Sequence, residues 1–140
     1  MATIYFAAPM FCQAELDFNE LLALLLRENG HEVYLPQENT PDVDLSPETG
    51  KAGRRSVFLE DITAIDNCDT LLFIMDGRVP DEGACFELGY AYAKGKTCVG
   101  LKTDVRMSEL GGDNMMLEGA LHYGIARSVP ELLELLEGMY

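Results

Sequence analysis

The side chains whose types and spacing could do chemistry are carboxylates, and they gather in residues 71–95, LLFIMDGRVPDEGACFELGYAYAKG. Asp76 and Asp81 lie in a segment broken by Gly77, Pro80 and Gly83, and Glu87 follows Asp81 by six residues. Two neighbouring carboxyl groups can split their roles, one ionised as a nucleophile and the other holding or sharing a proton as an acid. Retaining glycosyl transfer uses such a pair: the nucleophile forms a sugar ester that a second acceptor resolves. Pattern alone leaves Glu87 open between a working carboxylate and a solvated helix edge shared with Lys94. Asp81 is equally open between an acid and a helix N-cap.

Other chemistries find little support. The four cysteines, Cys12, Cys68, Cys85 and Cys98, form no CxxC pair and read as small buried hydrophobes. Neither His31 nor His122 stands at metal-ligand spacing, so no metal is expected. From Ala7 to Gln13 there is no phosphate-binding glycine motif and no Lys, Arg, Ser or Thr, which argues against a dinucleotide or nucleoside triphosphate cofactor; none is expected. A net charge of −14 repels a nucleic-acid backbone but not a neutral nucleoside. No apolar run has membrane-spanning length and residues 1–6 lack signal-peptide character, so no membrane partner and a cytoplasmic location are expected.

The elements that must position these acids follow from periodicity. Residues 71–75 are a short apolar run suited to a buried strand, and about 82–95 reads as a helix stopped by Gly95. Upstream, 3–6 is a strand that runs into the small residues Ala7, Ala8 and Pro9. A helix over 13–28 follows, with Leu16, Leu21, Leu24 and Leu25 as its apolar side, then a strand over 31–35. Residues 36–52 lack any period and hold three prolines and four acids, which leaves a lid and a surface insertion as alternatives. Residues 54–67 return to helix, with Val57, Ile62 and Ile65 inward and acids on a solvated face. Residues 97–101 form a strand, 114–121 a short helix and 124–127 a fifth strand, and Ser128 to Glu131 begins a last helix like a capping box.

This alternation predicts one domain over residues 1–140, with a five-stranded parallel sheet in the order 2-1-3-4-5 between two helical layers. Ligands of such sheets bind beyond the carboxyl ends of the strands where the order reverses, here between strands one and three. Residues 5–11 and 76–87 would meet there.

Residues 4–11, IYFAAPMF, resemble the opening strand and loop of the nucleoside 2-deoxyribosyltransferase family. Residues 81–91, DEGACFELGYA, resemble its catalytic segment, with an acid six residues before the Glu of a Glu-Leu-Gly motif. Cys68-Asp69 and Asp113-Asn114-Met115-Met116 match further family positions, and Ala8 departs from a frequent glycine. The resemblance implies a flavodoxin-like three-layer sandwich and makes Glu87 the nucleophile at C1′ of deoxyribose, oriented by Tyr5. Asp69 and Asp81 would contact the base, and one of them would protonate its departing nitrogen. Ala8, Pro9, Phe11, Asp76, Gly83, Asn114 and Met116 would line the substrate site. Asn114 would complete the site of a neighbouring subunit in a homo-oligomer, and the small-molecule partners would be a deoxynucleoside and a free nucleobase. The residue-level alternatives are plainer. Tyr5 suits a core tyrosine, Asp69 a cap, Asn114 a helix cap and Met116 ordinary packing. Two other functions stay open: hydrolysis of 2′-deoxynucleoside 5′-monophosphates, with Arg54, Arg55, Ser56 or Arg78 as phosphate donors, and non-catalytic nucleoside binding.

Overall fold

The computed structural model describes every residue except Thr40 and Glu109. Five parallel strands lie in the order β2-β1-β3-β4-β5, with β1 at Thr3–Ala7, β2 at Glu32–Tyr34, β3 at Thr70–Ile74, β4 at Thr97–Leu101 and β5 at Ile125–Ala126. Strand parity assigns the two faces, because successive side chains point to opposite sides. Ile4, Phe6, Leu72, Ile74, Val99 and Leu101 enter the layer containing α1 (Gln13–Glu28) and α5 (Val129–Glu137). Tyr5, Ala7, Leu71, Phe73 and Cys98 enter the opposite layer, with α2 (Lys51–Asn67), α3 (Glu82–Ala93) and α4 (Met115–Ala120). The expected three-layer sandwich and strand order are therefore present. No described helix is long and apolar enough to cross a membrane.

Three expectations need correction. Helix α1 buries Asn19, Leu22, Ala23 and Leu26, whereas Leu21 and Leu24 are exposed. Its leucines occur on several sides, so the apolar stripe cannot be located from leucine alone; Asn19 is inward because its amide donates to Pro9 O at 2.9 Å and Gln37 Oε1 at 3.0 Å. Cys12 is exposed and Cys85 half-buried, leaving Cys68 and Cys98 as the buried thiols. Helix α2 begins at Lys51, inside the segment read as irregular. That segment opens with a 3-10 turn, Pro36–Glu38, and its later part docks on the start of α2. Asp44 accepts from Ser46 N at 2.9 Å and Thr49 Oγ1 at 2.6 Å, and Arg54 Nε donates to Leu45 O at 2.7 Å. A Cβ at Gly50 or Gly53 would run into the Asp44 carbonyl, so both glycines permit this close approach.

Candidate active site

The site is built by one strand parity and one helix phase. Tyr5, in the middle of β1, points to the α2–α3 face. Helix α3 starts from Asp81, whose carboxylate accepts from Ala84 N at 2.8 Å and so satisfies one of the amides left free at the helix start. More than a turn later Glu87 faces the sheet, and Tyr5 Oη donates to Glu87 Oε1 at 3.1 Å. A cleft of about 250 Å³ opens beside this pair, walled by Phe58, Asp61, Ile65, Gly83, Phe86 and Glu87. Gly83 also fits beside the cap, since a Cβ there would sit 3.2 Å from the Asp81 carboxylate.

Electrostatics distinguish these groups from surface acids. Burial pushes Glu87 up to about 8; Asp61 and Asp81 add to the rise, and the Tyr5 hydrogen bond works against it. Burial also lifts Asp61 to about 6, with Glu60 adding repulsion. The Tyr5 phenol is raised strongly, first by burial and then by the Glu87 charge, so it stays a proton donor. Two carboxyl groups holding protons close to neutrality, in one cleft and beside one phenol, suit nucleophilic and acid–base work.

Asp61 is the residue that sequence reasoning missed. It stands four residues after Val57 and four before Ile65, on the inward side of α2, where an acid is out of place. That position was the available signal. Asp61 also walls a second cleft of about 320 Å³ with Phe11, Tyr34, Pro36, Asn39 and Leu45. The docked 36–52 segment thus contributes a wall to the site.

Asp69 lies apart from this pair. It precedes β3 at the amino end of the sheet, accepting from Thr3 N at 3.2 Å and Thr70 Oγ1 at 2.8 Å. Neither cleft walled by Asp61 contains it. An acid before a strand lies at the wrong end of a parallel sheet whose site lies towards the carboxyl ends. Asp76 is at the correct end, but its carboxylate ties down the turn after β4, accepting from Thr103 N at 2.7 Å and Asp104 N at 2.8 Å. With Pro9 it lines a separate cleft of about 210 Å³. Ala8 is half-buried against the α1 layer. Phe11 is exposed, its amide donating to Glu15 Oε1 at 2.9 Å.

Asn114 caps α4, accepting from Met116 N at 3.0 Å and Leu117 N at 3.3 Å, while the Met116 side chain is exposed. The buried pair Lys102–Asp113, joined by Arg127 at 3.1 Å from Asp113, anchors the loop that presents Asn114. A larger concavity, about 670 Å³ between β2 and α2, is lined by neither Glu87 nor Tyr5, so the carboxylates and not the volume locate the site. Among the described residues no group of three or more metal-ligating side chains could hold an ion.

Residues 4–122 match the family model described as nucleoside 2-deoxyribosyltransferase. A conserved protein from Enterococcus faecalis V583 superposes with a TM-score of 0.83 at 30% identity, covering 100% of this chain and 99% of that one. A 2-deoxyribosyltransferase from Bacillus psychrosaccharolyticus gives 0.80 at 25% identity over 94% and 90% of the two chains. A CMP N-glycosidase from Clostridium botulinum shares the fold, with a TM-score of 0.59 at 22% identity over 96% and 98%. No curated protein sequence gives a significant match.

Proposed function

Because the chain belongs to the nucleoside 2-deoxyribosyltransferase family, whose members act on nucleoside N-glycosidic bonds, we propose that it moves 2-deoxyribose between nucleobases through an ester on Glu87. The observation that carries this reading is the Tyr5–Glu87 hydrogen bond, set in a cleft that also holds Asp61. Glu87 Oε attacks C1′ as the N-glycosidic bond breaks. The electron pair of that bond goes to the base nitrogen, which takes a proton from Asp61. A second base then attacks C1′, displaces Glu87 and returns its proton to Asp61. Two displacements give retention at C1′. Tyr5 holds the nucleophile in place, and Asp81, already bound to the start of α3, is the further carboxylate for base contact. The Phe58 and Phe86 rings, 5.9 Å apart, give the cleft an apolar wall.

An assembled homo-oligomer in which Asn114 reaches a neighbour's site belongs to the same proposal, as do a cytoplasmic setting and a role in nucleoside salvage. Hydrolysis differs only in the second acceptor, and the shared fold of the CMP N-glycosidase makes it the competing outcome. The test is incubation with 2′-deoxyinosine and adenine, followed by chromatography. New deoxyadenosine that disappears in Glu87→Ala is the expected result. Hypoxanthine without deoxyadenosine would assign water as the acceptor; unchanged 2′-deoxyinosine would reject transfer, and base released from a 2′-deoxynucleoside 5′-monophosphate would then assign the hydrolase.

A further inference from the structure

Tyr34 carries a buried hydroxyl that the reaction above leaves unused. It is the last residue of β2, and the β1–β2 register pairs it with Tyr5. Both rings therefore leave the same sheet face, stacking at 5.5 Å with 14° between their planes. The Tyr5 hydroxyl is committed to Glu87, whereas the Tyr34 oxygen has no hydrogen-bond partner among the described residues. Leaving a buried hydroxyl unpaired costs on the order of 1–3 kcal/mol. The two side chains turned towards it are Asp61 and Asn39, and all three wall the same cleft. An ionised carboxylate only accepts, so it is the natural complement to a phenol short of one bond.

We propose that Tyr34 is a positioning residue for Asp61. When Asp61 passes its proton to the departing base, the Tyr34 hydroxyl donates to the resulting carboxylate while keeping its own proton. The stacked tyrosines thus serve one carboxylate each, Tyr5 for Glu87 and Tyr34 for Asp61. The proposal rests on Asp61 being the acid of the proposed reaction. Other groups around Asp61 work in the opposite direction. Glu60 on its own helix and Glu87 on α3 both disfavour a new negative charge, and the Tyr5 hydroxyl on β1 is already engaged. Tyr34 on β2 is the hydroxyl left to receive that charge.

Carbonyl ¹³C titration by NMR of the full chain tests this without requiring turnover, with the Asp61 signal assigned by its loss in Asp61→Asn. Tyr34→Phe keeps the ring and its stack while removing the oxygen. Its expected effect is a rise of about one pH unit in the Asp61 midpoint, the equivalent of one hydrogen bond to a charged group, with a much smaller change at Glu87. An unchanged Asp61 midpoint, or an equal movement of Glu87, would overturn the proposal. In the exchange assay Tyr34→Phe should lower kcat about tenfold with KM for the donor unchanged. A rise in KM alone would assign the hydroxyl to substrate and also overturn it. A wild-type chain that transfers and hydrolyses nothing would refute the proposed function, while the titration would still decide the Tyr34–Asp61 pairing.

Discussion

Glu87→Gln removes one titrating proton from the centre of the site and leaves an oxygen that can still accept from Tyr5. Burial raises Glu87 from 4.5 to about 8, so the folded chain keeps a proton that the unfolded chain has already released. Such a group contributes stability that is complete below the unfolded pKa and is lost as pH rises through the folded one. Asp61 follows the same sign but is spent by about 6, so the interval above that belongs mainly to Glu87. At about 1.4 kcal/mol per pH unit, the interval from about pH 6 to about pH 8 carries roughly 2.7 kcal/mol. Solvent at the open side of the cleft reduces this to about 2 kcal/mol. Urea unfolding of wild type and Glu87→Gln across the interval cancels titrations common to both proteins. Wild type should lose about 2 kcal/mol relative to the variant. Parallel stability curves would show that Glu87 is already ionised at the lower pH and would refute the buried-proton reasoning.

Tyr5→Phe removes the hydrogen bond that opposes the rise in Glu87, so the acid limb of kcat/KM should move to higher pH. Activity at neutral pH should fall about tenfold and recover in part in alkali, as a pH–rate profile would show. Asp61→Asn should lower exchange activity by about 100-fold or more. Asp69→Asn, at the far end of the sheet, should leave activity within about twofold and lower unfolding stability by about 1 kcal/mol through its bonds to Thr3 and Thr70. Equal losses for the two aspartates would contradict their placement.

The alternation of strands and helices was legible in the apolar runs at 71–75 and 97–101 and in helix ends marked by Asp81, Gly95 and Ser128, and the strand order is the common one for that alternation. The Tyr5–Glu87 pair was implied by the family resemblance, and strand parity and the α3 phase give its geometry. Asp61 was hidden within Glu60-Asp61, where two adjacent acids resemble a solvated face although they point about 100° apart around the helix. Asp69 was singled out by the resemblance of Cys68-Asp69 to a family position, but a position before a strand and one after it are separated by the length of the sheet. The 36–52 segment is held by side-chain-to-backbone bonds from Asp44 and by glycine contacts, neither of which leaves a period in the sequence.

Intact-mass analysis after acid quenching addresses the ester on Glu87 most directly, with the chain incubated in 2′-deoxyinosine and no acceptor base. The mechanism predicts a mass gain of one deoxyribosyl group, mapped to the peptide containing Glu87, together with an equimolar burst of hypoxanthine. Hypoxanthine released with no mass gain under conditions that preserve esters, or an adduct on another residue, would contradict it.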